Sequence, residues 1–125
     1  MSLSINIRQI SEVSVVDVMG RITLGEGAST LRDTIRTMGR EGHKKILLNL
    51  GDATYIDSSG LGVLVSGFAS ITKQGGRLKL LNLNKRVRDL LLITKLLTVF
   101  EVFEDETPAL RSFIDAAVET GVAHT

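Results

Sequence analysis

Two hydroxyls stand side by side in "TYIDSSGLGVLV", residues 54–65, between an aspartate and a glycine, where an extended apolar run gives way to helical spacing. Four chemistries suit that arrangement. Asp57 or Ser58 can cap the helix by accepting hydrogen bonds from the free N–H groups of its first turn. A serine can attack a substrate when a base lies within hydrogen-bond reach. A glycine-flanked turn can cradle a phosphate. Lastly, a hydroxyl held at a helix N-terminus can be a substrate itself, because an added phosphate meets free N–H groups and the positive helix end.

The available partners thin these options. Of the two histidines, His43 precedes the strand whose far end leads to Ser58, and residues 43–50 extended would span about 25 Å. His124 lies in the terminal "GVAHT". "DSSG" also lacks the Gly-x-Ser-x-Gly pattern of a nucleophile elbow. Neither "SSGLG" nor "GEGAST" ends in Gly-Lys-Ser/Thr, so a nucleotide loop is incomplete. Without cysteine, and with Asp52 and Asp57 at no recognised metal spacing, metal binding has no donor set. The sequence therefore predicts no catalytic residue, no metal and no cofactor. Capping and phosphate acceptance both stay open. Gly60 and Gly62 cost helix propensity, and two glycines in the first turns point to something approaching closely.

The composition is that of a soluble globular protein rather than a disordered or fibrous one. With 125 residues, 43% hydrophobic and 23% charged, the chain is long enough for one domain with its own core, expected over residues 1–120, with 121–125 as a frayed tail. Four Phe, one Tyr and no Trp leave that core aliphatic and give no stacking platform for single-stranded nucleic acid. A net charge of +1 supplies no field for a polyanion, and "HKK" at 43–45 and "KRVR" at 85–88 are short, so no direct nucleic-acid binding is expected. The absence of cysteine suits a reducing cytoplasm, and no apolar run approaches the roughly 18 residues a membrane span needs.

The elements that must position the serine corner can be read in order. "LSINIRQ" alternates and "VSVVDVMGRI" is Val-rich, which predicts two strands in a hairpin joined through "SEV". Ala28, Leu31, Ile35 and Met38 share a helical face, with Gly39 and Gly42 expected to stop that helix. "KKILLNL" reads as a strand covered on both faces. After "DATYIDSS" a second helix carries Leu61, Leu64, Val65 and Phe68 as its buried stripe and ends at "KQGG". "RLKLLNL" is the next strand; Asn84 caps a short helix with Val87, Leu90 and Leu91 on one side; "VFEVF" is a weaker strand. Thr107 as N-cap and Pro108 at the first position open a last helix with Leu110, Phe113, Ile114 and Ala117 in its stripe. The fold class is α/β, a small mixed β-sheet with about four helices, in the order ββαβαβαβα.

Taken together, "ILLNLGDATYIDSSGLGVLV" resembles the signature of the STAS domain, in particular that of the bacterial anti-sigma-factor antagonists. "GGRLKLLNLNKRVRDLL" and "LLTVFEVFEDETPAL" are similar to the family's later segments. The resemblance implies partner switching. The unmodified antagonist binds an ATP-binding serine-kinase anti-sigma factor and frees a sigma factor; phosphorylation of the first motif serine, which maps to Ser58, ends that hold; and a phosphoserine phosphatase resets it. Asp57, Ser58, Ser59, Gly60, Leu61 and Gly62 are then the expected partner surface, with Arg21 and Thr23 beside them. At those last two positions the chain departs from the family, reading "GRITLGEG" where many members carry a Gly-Glu-Leu-Asp-like stretch. Losing two negative charges there is expected to change partner choice or phosphorylation. STAS domains also serve as interaction subunits without a phosphorylation cycle, in stress-sensing or membrane lipid-transport complexes, and this is the alternative reading. The resemblance leaves the oligomeric state open.

Overall fold

The computed structural model describes the backbone of residues 3–123 and the side chains of residues 3–114. Ten elements follow one another: β1 (Ser4–Ile10), β2 (Val13–Ile22), α1 (Glu26–Arg40), β3 (Lys45–Ile56), α2 (Ser58–Lys73), β4 (Arg77–Leu81), α3 (Lys85–Ile93), a 3-10 turn (Leu97–Val99), β5 (Val102–Phe103) and α4 (Glu106–Ala123). The five strands form one sheet in the order β1-β2-β3-β4-β5, with β1 antiparallel to β2 and every later pair parallel. The predicted mixed sheet and the order ββαβαβαβα are what the chain adopts.

Strand alternation explains the two cores. Val16 and Val18 of β2 and Ile46, Leu48 and Leu50 of β3 pack under α1, α2 and α3, where Leu31, Ile35, Leu64, Ile71, Val87 and Leu91 meet them. Val13 and Val15 of β2, Leu47 of β3 and Leu81 of β4 point the other way, onto Ala109 and Phe113 of α4. Central strands covered on both faces have no polar side to show, hence the unbroken "ILL" of β3. Arg8 of β1 also holds α4 against the sheet. Its Nε donates to Asp17 Oδ2 at 2.6 Å and its Nη2 to Asp17 Oδ1 at 3.0 Å, while Nη1 and Nη2 donate to Glu106 at 3.2 and 2.7 Å. The Asp17 carboxyl is held below its usual range mainly by Arg8, against the opposing effect of burial. Lys79, buried, donates to Ser112 Oγ on the same face of the sheet.

Several local expectations are corrected. Gly39 lies within α1 rather than ending it, because it is a packing point: an added Cβ would sit 3.1 Å from Gln74 Oε1 and 3.4 Å from Ile71 Cδ1. The helix ends at Arg40, and Gly42, at φ 87°, turns the chain. The α2 stripe is rotated. Leu61 and Leu64 are buried, but Val63 and Ile71 join them, and Val65 and Phe68 are only partly covered. β3 runs on through "GDATYI" to Ile56. Only Val102 and Phe103 of "VFEVF" form a strand. Finally α4 begins at Glu106, so Thr107 and Pro108 fall inside its first turn, and Ile114 is 48% exposed. The Ala117 side chain and residues 124–125 of the expected tail lie outside the described residues.

Candidate functional site

The corner is built where the parallel strands β2 and β3 end and α1 and α2 begin. Asp57 leaves β3 with extended backbone, φ −110° and ψ −172°, and caps α2: its Oδ1 accepts the Gly60 N–H at 2.9 Å. The other oxygen does something the sequence did not announce. Oδ2 accepts the Leu24 N–H at 2.9 Å, tying the β2–α1 loop to the start of α2. One carboxylate thus latches two segments 33 residues apart. The N–H groups of Leu24 and then Gly60 hold the Asp57 carboxyl below the usual carboxylate range.

Two glycines let this corner close. A Cβ at Gly60 would lie 2.1 Å from the Ile22 carbonyl oxygen and 2.8 Å from Ile56 Cγ1, and one at Gly27 would lie 2.2 Å from the Arg21 carbonyl oxygen. Both helices therefore begin flush against the end of β2. The close approach expected at the glycine pair is made at Gly60 by the chain's own backbone, whereas Gly62 faces open space.

Ser58 is the first residue of α2 and is exposed. Ser59 is half-buried and, with Gly62, lines a groove of about 470 Å³ between α1 and α2, together with Ser29, Arg32 and Ser66. Gly60 and Leu61, expected on the partner surface, are buried at the start of α2, Leu61 at 8% exposure. Arg21 is exposed at the end of β2, and half-buried Thr23 uses its carbonyl to accept the Ala28 N–H at 2.9 Å. The sequence reading missed Leu24, an apolar side chain 80% exposed on the latched loop. It also missed Tyr55 and Arg86. Arg21 and Arg86 both stack on the Tyr55 ring, at 5.1 and 5.2 Å from its centroid. The chain's single tyrosine, three residues before the first motif serine, was the available signal. Asn84 sets this side of the corner, accepting the Val87 N–H at 3.0 Å to cap α3 while its amide donates to the Ala53 carbonyl of β3.

No base stands beside Ser58 among the described hydrogen bonds and ion pairs. His43 precedes the start of β3, where its Nδ1 is 2.9 Å from the hydroxyl of buried Ser14, which also donates to Gln9 at 2.8 Å. What the corner offers is an exposed hydroxyl on a rigid, capped surface.

Residues 4–109 match the family model described as the STAS domain. The chain belongs to the STAS domain family. This STAS domain is 33% identical over 102 residues to the anti-sigma-B factor antagonist of Bacillus subtilis, covering 82% of the present chain and 92% of that protein. Its fold is similar to that of an anti-sigma factor antagonist from Mycobacterium paratuberculosis, with TM-score 0.80, 22% identity, and coverage of 89% and 93% of the two chains. It is also similar to the phosphorylated form of the Bacillus cell-fate determinant SpoIIAA, with TM-score 0.70, 20% identity, and coverage of 88% and 99%. In the STAS domain described here, no helix among the described residues is long and apolar enough to cross a membrane.

Proposed function

We propose that this STAS domain is an anti-sigma-factor antagonist that works by binding alone. In its unmodified state the serine corner docks a serine-kinase anti-sigma factor and so releases a sigma factor. Phosphorylation of Ser58 ends the docking, and a phosphatase restores it. The observation that carries this reading is the exposed Ser58 hydroxyl beside a carboxylate already committed to two N–H groups.

The physical consequence of modification follows from that geometry. A phosphoserine adds about −1.5 to −2 charges at pH 7. Because Asp57 already occupies the Gly60 N–H, the helix end can meet only part of the new charge, worth about 0.3–1 kcal/mol at an exposed site. The fold should survive. A partner surface shaped for a small neutral hydroxyl must then take a bulky dianion next to Asp57. A penalty of about 3 kcal/mol would lower affinity by roughly two orders of magnitude.

The test is a pull-down with unmodified protein, with mass spectrometry to name what is bound, followed by incubation of the partner with ATP. Ser58→Ala should hold the kinase persistently and accept no phosphate, and Ser59→Ala should still be phosphorylated. Ser58→Asp should remain folded and bind poorly. Labelling at Ser59, or tight binding by Ser58→Asp, would sink the proposal.

A further inference from the structure

Two guanidinium groups on one phenol ring is an unusual use of charge in a chain whose net charge is only +1. The ring face attracts each cation, but the pair sits within roughly 10 Å of one another, a separation at which salt screens the mutual repulsion only in part. Asp57 accepts from Leu24 and Gly60, and Asp89 pairs with Lys85 at 2.7 Å. Among the described side chains neither Arg21 nor Arg86 has a carboxylate within 4.0 Å, although both are exposed. Their ion-pairing capacity is unused in the free protein.

We propose that Arg21 and Arg86, splayed over Tyr55, form a carboxylate-reading site that takes an acidic segment of the protein docking at the serine corner. The proposal rests on the docking reading above and gives the partner's surface its chemistry. Tyr55 lies three residues before Ser58, and Arg21 pairs with it across the β2–β3 register, so the cations and the hydroxyl share one end of the sheet. Guanidinium is the group suited to bidentate carboxylate contact, and Tyr55 holds two of them ready. A local pair on a nearly neutral chain fits a short acidic peptide better than a nucleic acid, which needs many cations along its backbone.

The site can be tested with and without the partner. In NMR titrations of the full isotope-labelled chain, a tetraglutamate peptide should shift the backbone amides of Arg21, Tyr55 and Arg86 saturably. Tetralysine should not, and Arg21→Ala/Arg86→Ala should abolish the response at unchanged thermal stability. Failure of tetraglutamate to saturate, equal shifts in the double variant, or a response to inorganic phosphate but not to the peptide would each overturn the proposal. With the captured partner, calorimetry should show Arg21→Glu and Arg86→Glu each weakening binding by about tenfold or more, with a shallower salt dependence. Unchanged affinity in both would refute it. If the unmodified protein captures no partner, the docking reading fails by itself, and the peptide titration still decides whether the arginines read carboxylates.

Discussion

Replacing Asp57 tests whether the corner is latched as described, and the cost can be worked out from two hydrogen bonds. Asp57→Ala removes the α2 cap on Gly60 N–H and the link to Leu24 N–H, both 2.9 Å. An N-cap is worth about 1 kcal/mol, and a half-exposed hydrogen bond to a charged group about 1 kcal/mol more. At an unfolding entropy of roughly 2.1 cal/mol/K per residue, the resulting loss of about 2 kcal/mol lowers Tm by about 8 °C. Asp57→Asn separates the two bonds. Its amide oxygen can still cap Gly60, but the NH2 group set against the Leu24 N–H cannot accept, so the drop should be about half as large. Hydrogen exchange at the Leu24 amide should quicken in both variants and at the Gly60 amide in Asp57→Ala alone. The pH dependence has a definite sign. Because the folded Asp57 pKa is depressed, its contribution is complete above the unfolded value of about 3.9 and is lost as pH falls through the folded value. The stability gap between the wild type and Asp57→Ala should therefore shrink on acidification below about pH 4. A gap that widens there, or Leu24 exchange unchanged in Asp57→Asn, would refute the latch.

Further outcomes follow from neighbouring features. Gly60→Ala should lower Tm sharply or prevent folding, since its Cβ would meet the Ile22 carbonyl at 2.1 Å, whereas Gly62→Ala, in open space, should be neutral or slightly stabilising; equal thermal melts would be the contrary result. Phe68→Ala should cost about 2 kcal/mol in denaturant unfolding, less than a fully buried aromatic, because the ring is partly covered and meets Phe100 edge-on at 5.3 Å. A cost near zero would deny that contact. Arg8→Ala should lose about 1–2 kcal/mol and quicken amide exchange in α4 selectively, because it breaks the bridge from Asp17 to Glu106; uniform exchange across the chain would contradict that role.

Much of the fold was legible because its signals are local. The Val-rich run gave β2 as Val13–Ile22, and Asn84 read correctly as the α3 cap, since each depends on its immediate neighbours. What escaped was contact made by atoms that carry no hydrophobic signal. The α2 stripe is rotated because Gly60 and Gly67 are contact points, Gly67 with Ile35 Cδ1 3.0 Å from where its Cβ would be, and glycine adds nothing to an apolar pattern. Gly39 read as a helix stop for the same reason. The tail of β3 escaped because its pairing with β2 slips between Asp17 and Met19 and again between Gly20 and Arg21, which spoils the alternation. Glu106 opens α4 facing Arg8, 98 residues away, a pairing no local window contains. At the site, Asp57 and Ser58 were legible as a capped corner, while the Leu24 latch and the Arg21–Tyr55–Arg86 stack needed segments that only the sheet brings together.

The two glycines that seat α1 and α2 on the carbonyls of Arg21 and Ile22 also determine where this surface is free to evolve. Positions 27 and 60 admit no side chain without moving backbone, so the frame of the corner resists drift. Positions 21, 24, 62 and 86 are exposed around that frame, and exchanging their side chains leaves its seating untouched. Replacements can thus gather at those exposed positions while the Ser58 hydroxyl keeps its place at the head of α2.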